Sequence, residues 1–297
     1  MENDKIKHIV CSGGGVSGFS FYGAIRESFY RGEWQMENIE SIYGTSIGSI
    51  LAVILSLKYD WATIDDYLLK RPWQNVYKFN MYTLFDCIQK MGIFNIKVIE
   101  ETFLPLFKGK DMSIDITMKE FFELTKIDVH LVTTDLHKFE TIDISYKTHP
   151  DWRIVDAVYC SCALPIVFSP IFKDEKCYCD GGFLNNYPID NCINNGADPN
   201  EIMGLTIAPD NPESTANQIS TLFDYIIMII NKLIGILLKT DRKKLAIEYI
   251  IYSPAMSMYD IYNIVSSMDE RNRLINIGVE SVNLCNSGEN SKNFPEL

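Results

Sequence analysis

The residues in this chain best suited to nucleophilic chemistry stand in one short run, Gly44-Thr45-Ser46-Ile47-Gly48. The G-x-S-x-G spacing fits a serine at the tip of a tight strand-to-helix turn, where side chains two residues to either side would collide. Glycine at 44 and 48 removes those collisions. A helix starting just after Ser46 would turn its N-terminal dipole toward the serine oxygen and favour negative charge developing there. An ordinary turn with a chance serine carries the same string, so the flanks decide. Residues 39–43 read as a strand before it, and 47–57 as a strongly apolar helix behind it.

A second glycine cluster, Gly13-Gly14-Gly15-Val16-Ser17-Gly18, follows the apolar run 6–11. Two chemistries compete for it. As G-x-G-x-x-G after a strand and before a helix it fits a dinucleotide loop, which also requires an acidic residue at the end of the second strand. That strand instead runs into Gly44-Thr45-Ser46, and Glu37 and Glu40 lie near its beginning. Alternatively, the consecutive amides of Gly13, Gly14 and Gly15 form an oxyanion hole, since two neighbouring βα turns of a parallel sheet open on the same carboxyl edge. The oxyanion reading is preferred, and a dinucleotide-binding protein is the alternative.

A serine nucleophile needs a base. The four histidines, His8, His130, His137 and His149, all lie in or just past the first half of the chain. The order Ser, acid, His therefore survives only with an acid between Ser46 and His149. A carboxylate at a strand end is a better candidate. Asp180 closes the short run 177–179, and Gly181 and Gly182 leave room around it. The competing reading is a hairpin turn, for which Asp-Gly is a strong signal.

The elements that must position these residues alternate between strand and helix. Strands are expected at 6–11, 39–43, 129–133, 167–172, 177–179 and 202–207, and helices at 18–31, 47–57 and 152–162. That alternation predicts an α/β fold with a largely parallel sheet covered on both faces. Residues 72–107, rich in aromatics and methionine, show no clear strand and read as a helical layer of the core, with a cover over an apolar cleft as the alternative. No repeat or linker divides the chain, so residues 1–285 are expected to form one domain and 286–297 a loose tail.

With 297 residues and 47% hydrophobic content, the chain has ample material for a core. A net charge of -12 argues against nucleic acid as a partner. Eight cysteines are too few for a disulfide scaffold. The C-x-C pairs Cys160/Cys162 and Cys177/Cys179 lack zinc-ligand spacing, so small buried side chains are expected and no metal or other cofactor. No signal peptide or membrane span is read, which points to a cytoplasmic protein. The apolar stretch 222–238 is interrupted by Asp224, Asn231 and Lys232 and followed by Lys239, Arg242, Lys243 and Lys244. A core helix is the preferred reading, and peripheral membrane contact through 222–244 is the alternative.

Taken together, Gly13 to Gly18, Gly44 to Gly48 and Asp180 to Gly182 resemble, in order and spacing, the patatin-like phospholipase family. Cys160-Ser161-Cys162-Ala163-Leu164-Pro165 is similar to that family's A-S-x-A-x-P stretch. The resemblance is clearest over residues 5–210. It implies a three-layer α/β/α fold and metal-independent hydrolysis of phospholipid or other lipid acyl esters. It also implies a Ser–Asp catalytic dyad on Ser46 and Asp180, with oxyanion glycines on Gly13, Gly14 and Gly15. One departure stands out. The family commonly carries Arg or Lys before the last glycine of the first motif, and here that residue is Ser17. A non-catalytic lipid-binding relative is a further alternative.

Overall fold

The computed structural model describes residues 5–78, 87–208, 222–237, 244–251 and 258–286. The first strand, β1 (His8–Cys11), leads through a glycine turn into α1 (Gly18–Tyr30). The second strand, β2 (Ser41–Thr45), leads through Ser46 into α2 (Ile47–Ser56). There follow β3 (Gly92–Phe94), β4 (Asp128–Asp135), β5 (Glu140–Ile144), β6 (Ile166–Phe168), β7 (Ile171–Lys173), β8 (Lys176–Asp180), β9 (Ile202–Ile207) and β10 (Ile247–Ile251).

The central sheet runs β10-β9-β1-β2-β4-β8-β7, with β5 also paired to β4. Its first five strands are mutually parallel. Strands β5 and β8 run antiparallel to β4, and β7 antiparallel to β8 and so along the parallel set; the β4–β5 and β7–β8 reversals have a reason of chain length. A short connection between neighbouring strands forces the chain to reverse, whereas a parallel return needs a dozen residues or more. Between β7 and β8 the turn residues Asp174 and Glu175 both have positive φ, 49° and 61°, as a tight two-residue hairpin requires.

Alternation along the parallel strands sorts the core into two layers. On β1, Ile9 and Cys11 join the main cluster with Phe21, Ile25, Leu51 and Ile54 of α1 and α2. Val10 faces the other way, with Tyr43, Cys192 and Ile202. The main layer holds α1, α2 and the helices Lys97–Lys108 and Ile154–Cys162. The short helix Ile189–Asn194 belongs to the second layer. The fold is thus α/β with helices on both faces of a mostly parallel sheet.

Several local expectations shift. The second strand starts at Ser41 and carries on to Thr45, which brings it to the foot of Ser46. The single strand expected at 167–172 is two strands, because Pro170 has no N–H to continue a ladder. The first piece, β6, pairs with β3, and the second, β7, with β8. Strand β3 falls inside the stretch 72–107, which had shown no strand signal. Elsewhere in that stretch Val98, Ile99, Phe103 and Phe107 are buried as core, while 79–86 lie outside the described residues.

Candidate functional site

Ser46 has φ 55° and ψ −122°, a conformation that side-chain-bearing residues adopt only when their surroundings impose it. Those surroundings are close-packed. A Cβ on Gly44 would sit 2.3 Å from the Gly48 carbonyl, and one on Gly48 would sit 2.4 Å from the Cys11 carbonyl oxygen. Hydrogen bonds hold the turn from below. The Ser46 amide donates to Ser161 Oγ at 2.9 Å, and Ser161 Oγ lies 2.6 Å from the Val132 carbonyl oxygen and 2.6 Å from Ser49 Oγ. Ser49 Oγ in turn reaches the Gly44 carbonyl at 2.9 Å.

Sheet register brings the second group to the same edge. Strand β4 lies between β2 and β8, with Thr45 opposite Val132 and Asp180 opposite Thr133. Ser46 and Asp180 therefore flank one strand at the same height, with the Ser46 side chain close enough to the Asp180 carboxylate to act on its pKa. Asp180 is 4% exposed, and its Oδ1 accepts the Gly182 amide at 2.7 Å. Burial pushes its pKa up to about 6, against the opposing pull of the Ser46 hydroxyl and the Gly182 N–H. The Cys162 thiol is buried nearby, and burial together with the Asp180 charge holds its pKa well above the usual value. The arrangement holds a hydroxyl on a strained turn against a desolvated carboxylate, which can take a proton from it.

The glycine loop lies beside this pair, but its three amides are not equivalent. Gly13 donates its N–H to the Asn186 carbonyl at 3.0 Å, so that amide is already engaged. Among the described residues, no backbone carbonyl takes the Gly14 or Gly15 amide. Gly15 has φ 53°, which glycine adopts without strain. Gly18 packs against the Ile47 side chain. Ser17 is 2% exposed, so the position without the usual cation holds a small buried residue.

The histidines take other places. His8 Nδ1 pairs with Ser41 Oγ at 2.8 Å, His137 is exposed, and His149 packs on Trp152. His130 is buried between Asp128 and Asp143. Cys160, Cys162, Cys177 and Cys179 are buried free thiols. Among the described residues, no three His, Cys, Asp or Glu side chains are grouped to hold a metal. Strand β2 ends on Thr45 and Ser46, so no carboxylate stands where a dinucleotide ribose would need one.

Three residues of the site carried no assigned role in the sequence. Ser161 and Cys162 sit in the A-S-x-A-x-P-like stretch, and only tertiary contact brings them under Ser46. Asn186 follows the Asp180 turn closely, and that proximity was its one available signal.

Comparisons with known proteins place the chain in a family. The family model "Patatin-like phospholipase" matches residues 9–193. An uncharacterized protein R571 of Acanthamoeba polyphaga mimivirus is 27% identical over 234 residues, covering 77% of this chain and 76% of that protein. A probable lipid hydrolase 463L of Invertebrate iridescent virus 6 is 31% identical over 189 residues. That match covers 63% of each chain, so this protein spans a little under two thirds of that relative. Among solved structures, VipD from Legionella pneumophila superposes with a TM-score of 0.56 at 18% identity, over 95% of this chain and 67% of VipD, which is a likeness of fold. With the family model spanning well over half of its residues, the chain belongs to the patatin-like phospholipase family.

Proposed function

We propose that this protein is a serine lipid acyl hydrolase of phospholipase A type, cleaving fatty acyl esters of phospholipids or related lipids. One observation carries the reading: strained Ser46 and buried Asp180 stand at the same height on either side of β4, and no cation is among the groups that shift the carboxylate. Asp180 takes the Ser46 proton as Oγ attacks the ester carbonyl. It then returns that proton to the departing alcohol, leaving acyl-Ser46. Water attacks the acyl group next and gives a proton to Asp180. Collapse releases the fatty acid and hands that proton back to Ser46. With a pKa of about 6 the carboxylate is ionised at neutral pH, yet it is a better base than an ordinary aspartate. None of these steps calls on a metal or cofactor.

Oxyanion stabilisation falls to the amides of Gly14 and Gly15, since that of Gly13 is donated to Asn186. Loss of a single such donor costs about 2.7–4 kcal/mol of transition-state stabilisation. Gly44, Gly48, Gly181 and Gly182 act by leaving space for the two turns.

Contact with the lipid surface is assigned to the helix Leu222–Leu237, which neighbours the turn after Asp180. Tyr225, Ile229 and Leu233, spaced four apart and so on one helical face, are 49%, 37% and 52% exposed. The basic residues Lys239, Arg242 and Lys243 lie outside the described residues, as does the tail 287–297. Among the described residues no helix is long and apolar enough to cross a membrane. We treat residues 1–285 as one catalytic domain.

A fluorophosphonate probe tests the central claim. It should label Ser46, and Ser46→Ala should abolish both labelling and release of fatty acid from phospholipid vesicles while leaving the fold intact. Retained hydrolysis in Ser46→Ala would remove the nucleophile assignment. A folded wild type without hydrolysis that still floats with vesicles would instead favour a non-catalytic lipid-binding relative. Flotation of Ile229→Asp tests the surface contact separately.

A further inference from the structure

Resting on that reading of Ser46 and Asp180, we propose that Asn186 is a positioning residue whose carboxamide locks the oxyanion loop onto the catalytic pair. The segment around it touches all three parts of the site. The Thr45 hydroxyl donates to the Asn185 carbonyl at 2.9 Å, just before the nucleophile. The Asn185 amide donates to the Gly181 carbonyl at 2.8 Å, just after the base. The Asn186 carbonyl takes the Gly13 amide at 3.0 Å, and its Nδ2 reaches back to the Gly13 carbonyl at 3.4 Å.

The side chain fills space that two glycines vacate. A Cβ on Gly13 would lie 2.4 Å from Asn186 Oδ1 and 3.3 Å from Ser46 Cβ. A Cβ on Gly182 would lie 2.9 Å from the same Asn186 Oδ1 and 3.0 Å from Asp180 Oδ1. One carboxamide therefore borders the nucleophile through Gly13 and the base through Gly182. The missing side chains in the first and third sequence motifs make room for Asn186. The Gly13 amide is held by the Asn186 main-chain carbonyl and the Gly13 carbonyl by the Asn186 carboxamide, so the Gly14 and Gly15 amides are presented from a peptide gripped on both sides.

Shape and proximity give separate tests. Purified full-length wild type, N186A, N186D, G13A and G13A/N186A are compared on a soluble p-nitrophenyl acyl ester, with S46A as control. N186A keeps the main-chain bond to the Gly13 amide but loses the carboxamide's hold on the Gly13 carbonyl, which should lower kcat about 10²-fold while KM moves less than twofold, as expected for misplacement of groups acting in the transition state. G13A should be at least as impaired, because its methyl collides with the carboxamide. The double variant should be no worse than G13A alone, because the collision partner is gone. N186D keeps the shape but sets a second carboxylate beside Asp180, so its acid limb of kcat/KM against pH should move to higher pH. A side chain lying away from Asp180 would leave that limb in place.

The proposal falls if N186A keeps kcat within twofold of wild type, if the G13A and N186A effects simply multiply, or if N186D leaves the acid limb unmoved. Any of these with S46A inactive overturns the role of Asn186 alone. An active S46A overturns the underlying reading instead.

Discussion

Carboxylates stand at both ends of β4, and the two ends are treated in opposite ways. At the carboxyl edge Asp180 has a hydroxyl and one amide for company, and its pKa is raised to about 6. Toward the amino end, Asp128 and Asp143 enclose His130 at 3.3 and 2.9 Å, and Lys147 reaches Asp128 at 2.9 Å. Tyr43 stacks on the His130 ring at 4.1 Å, and Asn195 donates to both Tyr43 and Asp143. Burial alone would raise Asp128 and lower His130. The mutual attraction outweighs burial for both, leaving the Asp128 pKa below its usual value and that of His130 raised to about 9. A carboxylate supplied with cations is held as structure. One left without them keeps a raised pKa, at a cost in stability.

The sharpest way to break this contrast is to neutralise Asp180. Asp180→Asn should reduce kcat about 10²–10⁴-fold, the usual worth of a general base. It should also raise the melting temperature at pH 8, because the folded state no longer holds an ionised carboxylate in a dry site. The shift from 3.8 to about 6 corresponds to at most about 3 kcal/mol. An Asp180→Asn protein that is inactive and also less stable at pH 8 would contradict the assignment of an uncompensated charge.

The opposite outcome is expected at the other cluster. His130→Gln should destabilise the protein by roughly 3 kcal/mol in denaturant melts at pH 7, since it leaves buried Asp128 and half-buried Asp143 without the cation between them. The kcat of the protein that remains folded should stay near wild type. A large loss of kcat at full stability would mean that the cluster serves the reaction.

Titration sharpens the comparison further. In kcat/KM against pH, activity should rise tenfold per unit below about pH 6 and level off above it, as Asp180 loses its proton. A limb centred near 4 would place Asp180 in a wetter site than described.

The smallest effect is on wild-type stability. Both Asp180 and His130 have folded pKa values above their unfolded ones, so each contributes stability at low pH that is lost as pH rises. For Asp180 the loss spans about 3.8 to 6, and for His130 about 6.5 to 9. Melting curves should therefore show a decline between pH 6.5 and 9 that is absent in His130→Gln.

Much of the α/β frame was legible because its signals are local. The apolar runs feeding two glycine turns fixed β1, α1, β2 and α2 to within a few residues. Strands β5 and β10 escaped, since a half-exposed strand such as Glu140–Ile144 has too little hydrophobic contrast to stand out. Antiparallel pairing of β8 also escaped, because strand direction depends on which neighbour the chain returns to. In the site, Ser46 and Asp180 were visible through their glycines. Ser161, Cys162 and Asn186 were not, because nothing local marks a buried hydroxyl, thiol or amide as touching a distant turn.

The amino-acid sequence by itself determined where the chain must bend sharply and which side chains are chemically able to act there. Backbone freedom and side-chain type are properties of single residues and their immediate neighbours. Only the tertiary structure decided that Asp180 stands across β4 from Ser46 and in a dry site. It also decided that the Gly13 amide is occupied and that His130 is locked between two carboxylates. Desolvation and pairing depend on atoms brought together from far along the chain, so they take values only once the sheet has closed around them.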